Sequence, residues 1–192
     1  MALLLILLFL VFAVFLRIAV QWYRTNDLGL RAASLNAPLM EIFPGTIFVL
    51  SFCVALVISA LAFLEMLSPI VVLPNLIRWL FFAVGLIGIT TAVISQNQMG
   101  DSWRIGVDQQ ETTDLKTNGL YARSRNPIYF GILLFWMGLC GTFVQPILLA
   151  SAAVCWICIE LIVRKIEEPY LVRIHGDAFT QYAKRTKRYS LI

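Results

Sequence analysis

Charge is what this sequence is short of. Only 14% of its 192 residues are Asp, Glu, Lys or Arg, against 60% that are hydrophobic, and the mean hydropathy is +0.83. A soluble globular domain carries about 25% charged and roughly 45–50% apolar residues. A chain this apolar cannot hide its surface from water, which excludes a soluble fold and predicts an integral membrane protein. Histidine occurs once, at His175. The four cysteines, Cys53, Cys140, Cys155 and Cys158, all lie inside apolar runs. Cys155-x-x-Cys158 has metal-site spacing but no polar neighbours, so the cysteines read as reduced packing residues and no metal is expected. The net charge of +4 does not point to nucleic acid, because the basic residues are scattered between hydrophobic runs. The first run has no positive residue before it and no A-x-A-like site after it, so it reads as a retained helix. No internal repeat or low-complexity linker interrupts the chain.

What is present is a series of five apolar runs: 1–20, 46–64, 79–95, 127–145 and 146–163. Crossing about 30 Å of hydrocarbon takes ~20 apolar residues in a helix, and lipid-facing backbone must bond within its own segment. The expected fold is therefore all-α, with five transmembrane helices in one domain spanning residues 1–192. Residues 1–95 form three spans. Residues 96–192 hold a loop, a C-terminal helical hairpin turned tightly at Gln145-Pro146, and a C-terminal segment. With five spans, all of the 15 basic residues except Arg78 fall on one side. The excess of Lys and Arg then places the C-terminus in the cytoplasm and the N-terminus outside.

The stretch "YARSRNPIYFGILL" (Tyr121 to Leu134) concentrates polar groups at the mouth of the fourth run. Asn126 is a suitable N-cap and Pro127 suits the first helical position. Free amides and the positive helix end there, next to Arg123 and Arg125, suit an anion. The plainer reading is that these arginines anchor the helix end at anionic headgroups. At the end of the fifth run, "RKIEEPYLVRIHG" places Glu167 and Glu168 just past an expected helix C-terminus, where the dipole disfavours negative charge. One of them can pair with Arg164 or Lys165, leaving the other to grip a cation; a solvated charge cluster is the alternative. The hairpin brings both ends together, and a zwitterion with α-carboxylate and α-ammonium groups would suit them. S-Adenosylmethionine has such an end, and Tyr121 and Tyr129 offer faces for its adenine or sulfonium.

At these residues the chain resembles a family. "TNGLYARSRNPIYFG" (Thr117 to Gly131) is similar to the T-x-G-x-Y-x-x-x-R-H-P-x-Y-x-G signature of isoprenylcysteine carboxyl methyltransferases (ICMT). "EEPYLVRIHGDAFTQY" (Glu167 to Tyr182) is similar to that family's E-E-x-x-L-x-x-x-F-G-x-x-Y-x-x-Y. Phospholipid N-methyltransferases share a related pattern. The resemblance implies a metal-free, S-adenosylmethionine-dependent membrane enzyme. It implies a cofactor site lined by Thr113, Asp114, Leu115, Lys116, Tyr121, Asn126, Pro127, Ile128, Tyr129 and Glu167, with Arg125 beside it. It also implies an arginine facing the substrate carboxylate, either Arg164 or Arg173. Asn126 stands where the family has histidine, and His175 where it has phenylalanine; His175 reads as a packing residue. Asp101 and Arg104, in "MGDSWRIGVD", read as structural.

Three functions are open at this point. The first is methylation of the carboxylate of a lipophilic acceptor such as an isoprenylcysteine, entering from the bilayer. The second is N- or O-methylation of a phospholipid or other small lipophilic acceptor, with Glu168 as the base. The third is a non-catalytic membrane scaffold. Membrane lipids are the expected surroundings.

Overall fold

The computed structural model describes residues 1–29, 39–106, 112 and 114–191, with the backbone alone for 39–41. All regular structure among them is helical; the two isolated bridges, Val71 with Val144 and Ser124 with Lys187, build no sheet. Helix α1 runs Ala2–Thr25 and widens into a π-helical stretch at Leu10–Phe15. Helix α2 spans Leu39–Phe63 and α3 spans Asn75–Met99. Short 3-10 turns follow at Gly100–Ser102 and Gly119–Ala122. Helix α4 is Pro127–Thr142 and α5 is Pro146–Ile162. A π-helical stretch, Val163–Glu167, carries α5 without a break into α6, Glu168–His175, and α7 follows at Asp177–Arg185.

Four of these helices are long and apolar enough to cross a membrane, and α4 is a shorter fifth. The expected all-helical membrane architecture is what the chain adopts, with different boundaries. Helix α2 starts at Leu39, so Pro44 lies inside it and not ahead of it. Helix α4 stops at Thr142, short of the expected Gln145. At 1.5 Å per residue its 16 residues reach about 24 Å. Phe143 turns to extended backbone, Ile70 N–H bonds the Val144 carbonyl, and Pro146 biases Gln145 to an extended conformation.

The expectation that Glu167 and Glu168 lie past a helix C-terminus is overturned. The helix continues to His175, so the dipole argument does not apply to them. Pro169 lacks an N–H and would clash with the carbonyl four residues earlier in a regular helix. The π-helical stretch just before it loosens that spacing, as such bulges do near functional sites.

The hairpin also packs differently from a simple helical pair. Its two helices make most of their contacts with other partners, α4 with α3 and α5 with α2. Glycine explains the closeness of α3 and α4. A Cβ added to Gly88 would lie 2.5 Å from the Gly131 carbonyl oxygen, and one added to Gly138 would lie 2.5 Å from the Gly85 Cα. Only hydrogen fits at such a crossing, and small residues are how apolar helices pack in lipid. Helix α1 fills the middle of the bundle. Leu5 and Ile6 are fully buried, and Phe9 stacks on Phe135 at 4.4 Å and on Phe52 at 5.0 Å between ring centroids.

One end of the bundle gathers the polar groups. Arg17, which interrupts the first apolar run, is 3% exposed. It donates to Gln21 Oε1 (2.8 Å) and to the Gly100 carbonyl (2.6 Å), and its guanidinium lies 4.7 Å from the Trp103 ring. Gln96 donates to the Ala13 carbonyl at 2.9 Å, inside the π-helical stretch of α1. These bonds tie α1 to the end of α3, though Arg17 Nε and Nη1 and Gln96 Oε1 are buried without a partner.

Candidate active site

At the polar end, α4 begins where α5–α6 passes. Pro127 occupies the first position of α4 and Asn126 its N-cap, as the sequence predicts. The Asn126 side chain does not cap the helix, however. Its Nδ2 donates instead to the Arg188 carbonyl at 3.3 Å. The first-turn amides of Ile128 and Tyr129 are therefore not taken up by Asn126, and a helix start with free amides accepts an anion.

One turn into α4, the Tyr129 hydroxyl donates to Glu167 Oε1 at 2.7 Å. Tyr121 is 6% exposed, and its hydroxyl donates to the Ser95 carbonyl at 3.4 Å. Burial raises the Tyr121 phenol, and the Glu167 carboxylate raises it further. Tyr129 thus holds Glu167 directly, while the Tyr121 hydroxyl is turned to Ser95.

A second group lies alongside. Glu168 accepts two bonds from Arg188, from Nε at 2.9 Å and from Nη2 at 2.7 Å, and Arg125 Nη1 approaches it at 3.3 Å. The bond to Glu168 raises the Arg188 guanidinium above its ordinary value. The expected pairing of a glutamate with Arg164 or Lys165 is not what forms. Arg164 instead pairs with Glu160 one turn back in its own helix. The backbone makes the same connection: Arg125 N–H bonds the Lys187 carbonyl (2.8 Å) and Asn126 N–H bonds the Arg188 carbonyl (3.1 Å). The Tyr182 hydroxyl donates to the Tyr121 carbonyl at 2.5 Å, and burial pushes that hydroxyl up to about 12. Segment 187–188 is therefore clamped along the entry to α4.

A third group sits one turn past Glu167. Tyr170 accepts a bond from Arg104 Nη2 at 2.7 Å, and both Arg104 and Arg173 lie 5.6 Å from its ring. Arg104 also lines a cavity of about 390 Å³, together with Gln21, Thr25, Asp27, Asp101, Trp103 and Asp114 among others.

The sequence-based candidates divide accordingly. Tyr129 and Glu167 come together, Tyr121 turns to Ser95, and Arg125, Asn126 and Glu168 meet at Arg188. Pro127 is buried and Ile128 packs on the apolar core. Asp114 is exposed and pairs with Lys116 at 3.6 Å, and Leu115 between them is half-buried. Thr113 lies outside the described residues. Arg164 is exposed beside Glu160, whereas Arg173 stacks on Tyr170. His175 is half-buried at the end of α6. Sequence reasoning missed Arg188 as the partner of Glu168 and Tyr170 as the partner of Arg104. Twenty and 66 residues separate those pairs, and no local pattern announces them.

Known proteins resemble the chain both in sequence pattern and in fold. The family model for phospholipid methyltransferases matches residues 76–178. The chain belongs to the phospholipid methyltransferase family. With four helices long and apolar enough to cross a membrane, it is an integral membrane member of that family. Its fold is similar to that of a solved structure, the eukaryotic intramembrane Ras methyltransferase ICMT, at 16% identity and a TM-score of 0.63. That match covers 95% of this chain and 63% of the other, so the chain spans under two thirds of that enzyme's length. Comparison with curated proteins gives no match.

Proposed function

We propose that this family member transfers a methyl group from S-adenosylmethionine to a lipophilic acceptor that reaches the site from the bilayer. The observation that carries the reading is the bond from Tyr129 to Glu167, which ties a half-buried carboxylate to the first turn of α4. Those residues fit the methyl donor's amino-acid end: the amides of Ile128 and Tyr129 suit its carboxylate and Glu167 suits its ammonium. Arg125, Asn126, Pro127 and Ile128 shape the helix start, Tyr121 closes one side, and Thr113 to Lys116 lie on the chain leading to it. When bound, S-adenosylmethionine supplies a methyl group on a positively charged sulfur.

The protein's own residues then have two tasks. Glu167 and Tyr129 hold and orient, which is where rate is gained when reactants are placed in line. Burial keeps water from the reacting groups, and charge neutralisation in the reaction favours a low-dielectric setting. A carboxylate acceptor, of the isoprenylcysteine kind, is ionised at neutral pH and needs no base. Arg173 and Arg104, which flank the Tyr170 ring one turn past Glu167, are suited to grip the acceptor; Arg164 is instead held by Glu160.

A second reading has a lipid amine as acceptor, favoured by the family match and by the carboxylates of Asp27, Asp101 and Asp114 around the cavity that Arg104 lines. An amine must lose a proton, and a cavity carboxylate would take it. Glu168, bound by two guanidiniums, belongs to the clamp and not to the base. The segregation of basic residues supports a site that opens to the cytoplasm, with the N-terminus outside.

The test is an acceptor screen with methyl-labelled donor, comparing prenylcysteine analogues with ethanolamine lipids. Label in the prenylcysteine ester supports the first reading and label in the lipid amine the second. A scaffold without enzymatic activity would label neither and would gain no thermal stability from S-adenosylhomocysteine.

A further inference from the structure

A cavity of about 480 Å³ opens at the polar end of the bundle between the turn before α4 and the C-terminal segment. It is lined by Ala122, Arg123, Arg185, Lys187 and Leu191, none of which belongs to the groups around Glu167 or Tyr170. Three of the five are cationic, none is acidic, and all three cations are exposed. Neither the Arg123 nor the Arg185 side chain forms a hydrogen bond or ion pair with another described residue. Other arginines at this end are already spoken for: Arg17 by Gln21, Arg125 and Arg188 by Glu168, Arg164 by Glu160.

The backbone that carries these cations is fixed. Ser124 bridges Lys187 in parallel, Arg125 N–H bonds the Lys187 carbonyl, and Ser124 Oγ donates to the Arg188 carbonyl at 3.1 Å. Arg185 closes α7, which Tyr182 ties to Tyr121. Like charges held on a fixed frame repel one another, and an anion between them removes that cost. Arginine presents a planar fork that matches the oxygens of a phosphate. Ala122 and Leu191 add an apolar wall beside the cations, as a lipid glycerol or acyl stem would meet. We propose that Arg123, Arg185 and Lys187 form a binding site for a phosphate-bearing anion, the headgroup of an anionic phospholipid or free phosphate. The site shares segment 187–188 with the clamp on Asn126 and Glu168, so occupancy stiffens the entry to α4. It is independent of which acceptor the enzyme methylates.

The full chain in neutral detergent serves for the test, with thermal melting as the readout. Phosphatidylglycerol, but not phosphatidylcholine, is expected to raise the Tm by at least about 2 °C. The R123Q/R185Q variant loses that rise, each single substitution loses part of it, and K184Q, a neighbouring cation outside the cavity, keeps it. Inorganic phosphate at matched ionic strength separates the sources: if it reproduces the same pattern, the ligand is free phosphate; if it has no effect, it is the lipid. The proposal is overturned if neither probe shifts the wild-type chain. It is equally overturned if R123Q/R185Q responds like the wild type, or if K184Q loses as much as the double variant. Circular dichroism confirms that each variant retains its helices. Should the double variant fail to fold, the two single variants decide.

Discussion

Tyr129 and Glu167 are 38 residues apart and share a 2.7 Å hydrogen bond. They stand on the two limbs of a hairpin whose helices otherwise contact α3 and α2 more than each other. The bond therefore reports that the limbs also meet at the open end of the hairpin, beside a carboxylate.

Replacing Glu167 with glutamine keeps an oxygen that can accept from Tyr129 and removes the negative charge. A charge-assisted hydrogen bond is worth about 1.5–3 kcal/mol. Affinity for S-adenosylhomocysteine should fall by roughly 10- to 100-fold while the melting temperature stays near that of the wild type. Isothermal calorimetry with unchanged affinity would remove Glu167 from the site.

Tyr129→Phe leaves the carboxylate in place without its donor. An unsatisfied buried group costs about 1–3 kcal/mol, more when charged. The variant should be less stable alone, yet recover more stability than the wild type on adding saturating ligand if an ammonium satisfies Glu167. Paired melting curves with and without S-adenosylhomocysteine check this.

Arg188→Gln breaks the bidentate contact to Glu168, in which the side chains are 23% and 16% exposed. The expected cost is about 1–2 kcal/mol, below that of a fully buried pair because solvent screens it. The amides of Arg125 and Asn126, which bond to the Lys187 and Arg188 carbonyls, should exchange hydrogen faster. Exchange mass spectrometry over residues 121–130 reads this directly; unaltered protection there would mean the clamp does not depend on the ion pair.

Gly88→Ala should destabilise strongly. Its Cβ would meet the Gly131 carbonyl oxygen at 2.5 Å, a backbone contact that no rotamer relieves. Overpacking of this kind costs about 1–3 kcal/mol or more. Gly45→Ala is the control: nothing lies within 4 Å of its added Cβ, and alanine favours a helix interior by roughly 0.5–1 kcal/mol. Equal melting temperatures for the two variants would contradict the close crossing of α3 and α4.

The sequence by itself determined that the chain is an apolar helical bundle, that its basic residues gather at one end, and that α4 starts at Pro127. These follow from local composition: uninterrupted apolar runs must be helical in lipid, and Asn-Pro opens a helix whatever surrounds it. The tertiary structure decided three things. Helix α5 runs on through Pro169 by loosening into a π-helical stretch, so Glu167 and Glu168 lie within a helix. The Asn126 side chain turns to Arg188 and leaves the cap of α4 open. Glu168 pairs with Arg188 and Arg125, and not with the basic residues beside it in sequence. The last two outcomes depend on partners that only folding brings within 3.5 Å, where a polar side chain chooses among groups close in space and distant along the chain.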